Sequence, residues 1–220
     1  MDQRPRLRTR SASLKNLVTE AAANELVRWS PLISAACGFV GVLVGTALVP
    51  WVRNHLLRQQ AARYLAIRCV CILDKYLEDC AEVASDWGEE DQDGYSYARV
   101  SAPPSPSYPT DLDWHSIGYA LMYELLSLPA MAERAASVVN NASEHASAPD
   151  HEEYFEARSI QYSKLGLKAF ELAQKLRRAY KISDRDFSDW DPVSRLKQEL
   201  KEIEERNAKR AAAYIPPPSL

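Results

Sequence analysis

The chain has 220 residues, of which 46% are hydrophobic and 26% charged; it is long enough to bury a sizeable core, and the balance excludes a multi-span membrane protein while leaving room for one or two spans. A net charge of −3 lacks the basic excess on which phosphate neutralisation depends, so no nucleic-acid partner is expected. Scarce glycine and abundant Ala, Leu, Glu, Lys and Arg predict an all-α fold, with one N-terminal transmembrane helix continuing into an antiparallel three- to four-helix bundle.

Residues 1–29 form a basic arm. Arg4, Arg6, Arg8 and Arg10 are followed by Leu14, Leu17, Val18, Ala21 and Ala22 at helical spacing, a pattern that suits a helix lying on anionic lipid. A solvated tail is the plain alternative.

Residues 30–52 carry the strongest signal. Ser30 is placed to cap a helix and Pro31 to begin it. From Leu32 to Val52 no side chain is ionisable apart from the thiol of Cys37, and about 21 residues at ~1.5 Å each match a bilayer core. Trp29 and Trp51, beside Arg28 and Arg53, fall where indoles and cations sit at membrane interfaces. A signal peptide would lie closer to the terminus, and a buried soluble helix seldom stays uncharged for so long. Ser34, Gly38, Gly41 and Gly45 share one face, where close backbone approach admits a homodimer through the span. Pro50 removes a helical donor and predicts a kink at the exit.

Orientation is argued both ways. Arg53, Arg58, Arg63 and Arg68 follow the span before any acid, which retains the C-terminal side in the cytoplasm. Cysteines at 69, 71 and 80, with no CxxC pairing, read as reduced packing residues and agree. The four arginines of the arm argue against moving the N-terminus across.

Residues 53–86 predict the first bundle helix, with Ala61, Leu65, Cys69, Ile72, Tyr76, Cys80 and Val83 as its stripe and a stop at Trp87–Gly88. Residues 87–110 are acidic and then proline-rich, which predicts a loop. Glu89, Asp91, Asp93 and Gly94 imitate part of a calcium loop, but Val100 stands where a bidentate Glu is needed. Pro103, Pro106 and Pro109 make PxxP spacings, better read as linker than as ligand.

Residues 111–181 predict the second and third helices. Asp111 caps the second, whose first half is apolar nearly all round and so reads as the central, most buried helix; Pro129 lies within it. Asp150 and Glu153 open the third, with Phe155, Tyr162, Leu165, Ala169, Leu172, Leu176 and Ala179 inward. Residues 191–213 form a C-terminal amphipathic helix capped by Asp191, whose Val193, Leu196, Leu200 and Ile203 read as a heptad seam; Glu199 and Glu204 would face each other in a parallel homodimer, so docking on its own bundle or antiparallel pairing is favoured.

The chemistry-bearing motifs fail on spacing. His151 is followed by EEYF rather than ExxH, and neither His115 nor His145 has a Glu three residues before it. No phosphate loop or nucleophile elbow is present. Glu124, in an apolar helix, is the one candidate for a perturbed carboxylate, with His115 and Tyr123 its nearest candidate partners. No cofactor or metal is expected. The sequence therefore predicts a single-pass membrane protein whose bundle acts as an interaction or scaffold module, its partners the lipid bilayer, a second copy through the span, and a further protein. A sensory module, or an enzyme using Glu124, are the alternatives.

Overall fold

The computed structural model describes residues 38, 41, 42, 44–187 and 190–213. The chain divides into two compact units, residues 1–57 and 58–220. A π-helical turn, Val44–Leu48, leads directly into helix α1, Val49–Ala84. The wider π-helical turn falls just before Pro50, which offers no N–H to the carbonyl one turn back. From Leu48 to Gln60 every side chain is exposed.

The transmembrane helix expected at 30–52 is not shown. Among the described residues no helix is long and apolar enough to cross a membrane, since α1 takes up Arg53, Arg58 and Arg63 within its first turns. Residues 30–37, 39, 40 and 43 lie outside the described set.

The second unit is a helical bundle. Beyond α1 it holds α2, Tyr119–His145; α3, Glu152–Tyr180; and α4, Pro192–Ala213. A 3-10 turn at Trp114–Ser116 and a two-stranded hairpin, β1 Glu89–Glu90 with β2 Ser96–Tyr97, complete it. Cross-links fix the directions. Asp74 meets Arg177 late in α3, while Asp86 meets Arg158 near its start. Glu124, early in α2, reaches Lys175, and Arg210, late in α4, reaches Glu152. Hence α1, α2 and α4 all run antiparallel to α3.

That makes α3 the central helix, in place of α2. Twelve residues of α3 are buried against five of α2, and Tyr119, Tyr123, Leu126, Met131 and Val138 of α2 are exposed. Freedom from charge is a poor guide to burial here, because the apolar residues of α2 wrap round the helix while only one stripe touches α3. In α3 the expected stripe holds except at Ala179, which is exposed.

Because α1 and α2 run the same way, the chain between them must return along the bundle. Residues 85–118 do so as a packed strap rather than as a free linker. Pro106, Leu112 and Ile117 are buried, Val100, Tyr108 and Trp114 pack on the core, and Tyr108 meets Trp114 edge-on at 5.4 Å between ring centres. Burial of Pro106 takes the PxxP spacings out of play as an open ligand. In the hairpin turn the Asp91 carboxylate accepts from the N–H groups of Asp93 and Tyr95 at 2.9 Å each, so the calcium-like residues are committed to a β-turn.

Caps follow the sequence in part. Asp191 accepts from the Val193 N–H at 2.9 Å, as expected of an N-cap. The second helix begins later than Asp111, and it is Asp113 that caps the short 3-10 turn. The Asp150–Glu153 box does not form: His151 occupies the cap, and Glu153 accepts from Ser147 N–H at 3.2 Å.

Three helices converge at Gly166. A Cβ there would lie 2.6 Å from Cδ1 of Leu196 in α4 and 3.1 Å from Cβ of Cys80 in α1. Gly166→Val should therefore destabilise the fold by about 1–3 kcal/mol through overpacking, even though Gly costs ~1 kcal/mol of helix propensity. Urea unfolding measures it, and Leu196→Ala in the same chain should recover part of the loss. Equal midpoints for the parent and the Gly166→Val chain would disprove the close approach.

Candidate functional site

The residues expected at the membrane interface and pairing face are only partly described. Arg28, Trp29 and Ser34 lie outside the described residues. Gly38, Gly41 and Gly45 are exposed, and a Cβ at any of them would meet nothing within 4 Å. Trp51 is 65% exposed and stacks on His55 with ring centres 6.0 Å apart; Arg53 is exposed as well. Val42, Leu48, Val49, Val52, Leu56 and Leu57 add large exposed apolar side chains over the same stretch.

Glu124 is not the centre of a reactive cluster. Lys175 donates to it at 2.7 and 2.8 Å and Lys168 at 3.0 Å, and both lysines also pair with Glu171. Hydrogen bonds from Lys175 and then Lys168 hold its carboxyl below the ordinary glutamate range. It is thus a carboxylate, tying α2 to α3, and unsuited to act as an acid or base near neutral pH. Tyr123 and His115, its expected partners, are exposed, and the lysines of α3 take their place.

Among the described residues buried polar clusters lie elsewhere, and sequence reading misses the two that follow. Arg158 is 2% exposed and donates to the Asp86 carboxylate at 2.8 Å and to the Val100 carbonyl. Asp86 also accepts from the N–H groups of Val100 at 2.8 Å and Gly88 at 3.1 Å. Gly88 has φ +83, and a Cβ there would sit 2.5 Å from Cζ of Phe155, so the turn after α1 requires glycine.

The second cluster centres on Glu199, 1% exposed on α4. It accepts the indole N–H of Trp87 at 3.1 Å and pairs with Arg195 at 2.7 Å. The Arg206 guanidinium lies 4.1 Å from the Trp87 ring centre, a cation–π stack. Beside this cluster opens a cavity of about 590 Å³, bounded by the end of α1, the strap and the start of α4. The Arg195–Glu199 pair is an i,i+4 spacing visible in sequence, but Trp87 lies 112 residues away, and nothing local marks it as the partner.

No family model, curated protein or solved structure matches this chain. Among the described residues no group of His, Cys, Asp or Glu is placed to hold a metal ion. Cys69 and Cys80 are buried and Cys71 is exposed, all as free thiols. Burial pushes the Cys69 thiol up to about 12, against a smaller opposing pull from Arg68, so it is a packing residue rather than a nucleophile.

At Asp86, burial pushes the carboxyl up, but the Val100 N–H, the Arg158 guanidinium and the Gly88 N–H outweigh it and hold the group below its ordinary value. A folded value below the unfolded one means the contact's stabilisation is complete above about pH 4 and is lost as pH falls through the folded value. Asp86→Ala should cost about 3–5 kcal/mol at neutral pH, because it leaves a guanidinium buried without its counter-charge. In urea unfolding series, the difference between the parent and Asp86→Asn chains should shrink below about pH 4. A pH-independent difference would sink the assignment.

Proposed function

We propose that this protein is a single-pass, membrane-anchored helical bundle that acts as an interaction or scaffold module without catalysis of its own. The observation that carries it is the uncharged stretch Leu32–Val52, whose described part exposes Val42, Leu48, Val49, Trp51 and Val52. Such a surface is costly in water and suited to lipid. The interaction role is supported by α2, where Tyr119, Tyr123, Leu126 and Ala130 recur at i, i+4, i+7 and i+11 and all are exposed. A cytoplasmic location for the large domain is supported by the arginines that follow the apolar stretch and by the free thiols.

The full chain should stay with the membrane fraction through alkaline carbonate washing, and a C-terminal topology reporter should give a cytoplasmic signal. Release by carbonate would overturn the anchor, and an extracytoplasmic signal the orientation. Replacing Gly41 and Gly45 with Ile should weaken self-association in a membrane two-hybrid assay, because close backbone approach needs small residues; an unchanged signal would remove the glycine face as the dimer contact. Proximity labelling from the C-terminus identifies the protein partner, and its labelled set should change with Tyr123→Glu.

A second reading, a sensory module, is favoured by one observation: the cavity beside Trp87 is bounded by the end of α1, the helix that begins next to the apolar stretch.

A further inference from the structure

The cavity beside Trp87 has two preset walls. Trp87 is held by its N–H on Glu199 and by Arg206 against its ring. Arg195 donates to Ser85 Oγ at 3.0 Å and pairs with the same Glu199 carboxylate. A single buried acid thus fixes both an aromatic plane and a cationic fork before any ligand arrives, which lowers the ordering cost of binding. Trp190, 45% exposed, and Arg99, at 59%, complete the outer wall.

The chemistry of these walls selects an anion on a flat apolar body. A guanidinium carries five donors. Arg195 directs Nε and Nη2 at Ser85 and Glu199, and Arg99 directs Nη1 at Glu89, so each retains further N–H donors of the kind that pair with a carboxylate. The indoles of Trp87 and Trp190 in the same lining suit an aromatic ring. A dianion is disfavoured by Glu82 in the cavity wall and by Glu89 on Arg99, while the charge of Asp86 is offset by Arg158. The volume lies within the usual range of about 300–1,000 Å³ for small-molecule sites.

We propose that this cavity binds a planar aromatic monocarboxylate, its carboxylate on Arg99 and Arg195 and its ring against Trp87 and Trp190. The site lies wholly within the bundle unit, and its occupancy is independent of whether the chain is anchored.

The test uses the full chain labelled with 5-fluorotryptophan, each ¹⁹F resonance assigned by single Trp→Phe variants, and titrated with 2-naphthoate. The Trp87 and Trp190 signals should shift saturably in the sub-millimolar range, while those of Trp51 and Trp114 stay in place. Arg99→Gln should weaken binding about tenfold, the loss of one charge-assisted hydrogen bond, with the thermal midpoint unchanged. Neutral 2-naphthamide should bind correspondingly more weakly. The proposal is overturned if Trp190 does not respond to millimolar naphthoate, if Arg99→Gln leaves the titration unchanged, or if 2-naphthylmethylammonium binds as well as the carboxylate.

Discussion

A guanidinium placed inside a helical bundle dictates where the rest of the chain must go. Arg158 sits on α3 at 2% exposure, and its desolvation is tolerable only where an acid and a carbonyl converge on it. Asp86, two residues past the end of α1, and the carbonyl of Val100, at the exit of the hairpin, supply both. One contact thereby pins the end of α1 and both ends of the hairpin segment to the first turns of the central helix. Replacing the pair by apolar side chains of similar volume would cost little by comparison with removing one member, so its importance lies in which segments it brings together.

The other buried charges are placed at different heights on the same scaffold. Asp74 and Arg177 join α1 to the far end of α3 at 2.6 Å, and Arg177 Nε donates onward to the Ser183 carbonyl. Glu199 joins α4 to the turn after α1 through Trp87. Between these polar stations the packing is tight at Gly166, where a Cβ would press on Leu196 of α4 and Cys80 of α1. Apolar burial supplies the drive toward a compact bundle, while the buried ions and the close glycine contact discriminate between registers that apolar packing alone would treat as similar.

Periodic features are legible in the sequence, and long-range partners are not. Most of the α1 and α3 stripes, the stop near Gly88, the Asp191 cap and the seam at Val193, Leu196 and Ile203, with Leu200 only half-buried, each follow from residues within one or two turns of one another, where spacing carries the information. Glu199 shows the limit: heptad spacing makes it a flanking charge on the seam, yet it is among the most buried residues, because its partner Trp87 belongs to a turn 112 residues earlier. Prolines and acids mark the strap as linker. Asp91 and Asp93 do lie in a turn, but the strap's burial depends on α1 and α2 being parallel, a fact of topology that no local spacing encodes. Glu124 stands out in the sequence as unusual within its helix, and its lysine partners, 44 and 51 residues away, decide its role.

Among the described residues two exposed apolar surfaces stand out, and they differ in shape. Over Leu48–Leu57 the large apolar side chains are distributed around the whole helix, with Val49, Trp51 and Val52 pointing about 100° apart per residue step and all exposed. Arg53, Asn54 and His55 are exposed within the same stretch, so polar side chains interrupt the apolar ones. On α2 the exposed Tyr119, Tyr123 and Leu126 keep to one stripe while Leu125, Leu128 and Ala132 are buried on another. A single stripe is satisfied by one neighbour, and tyrosines combine an apolar ring with a hydroxyl that tolerates water between encounters. The two surfaces thus differ in angular distribution about the helix, which composition averages away.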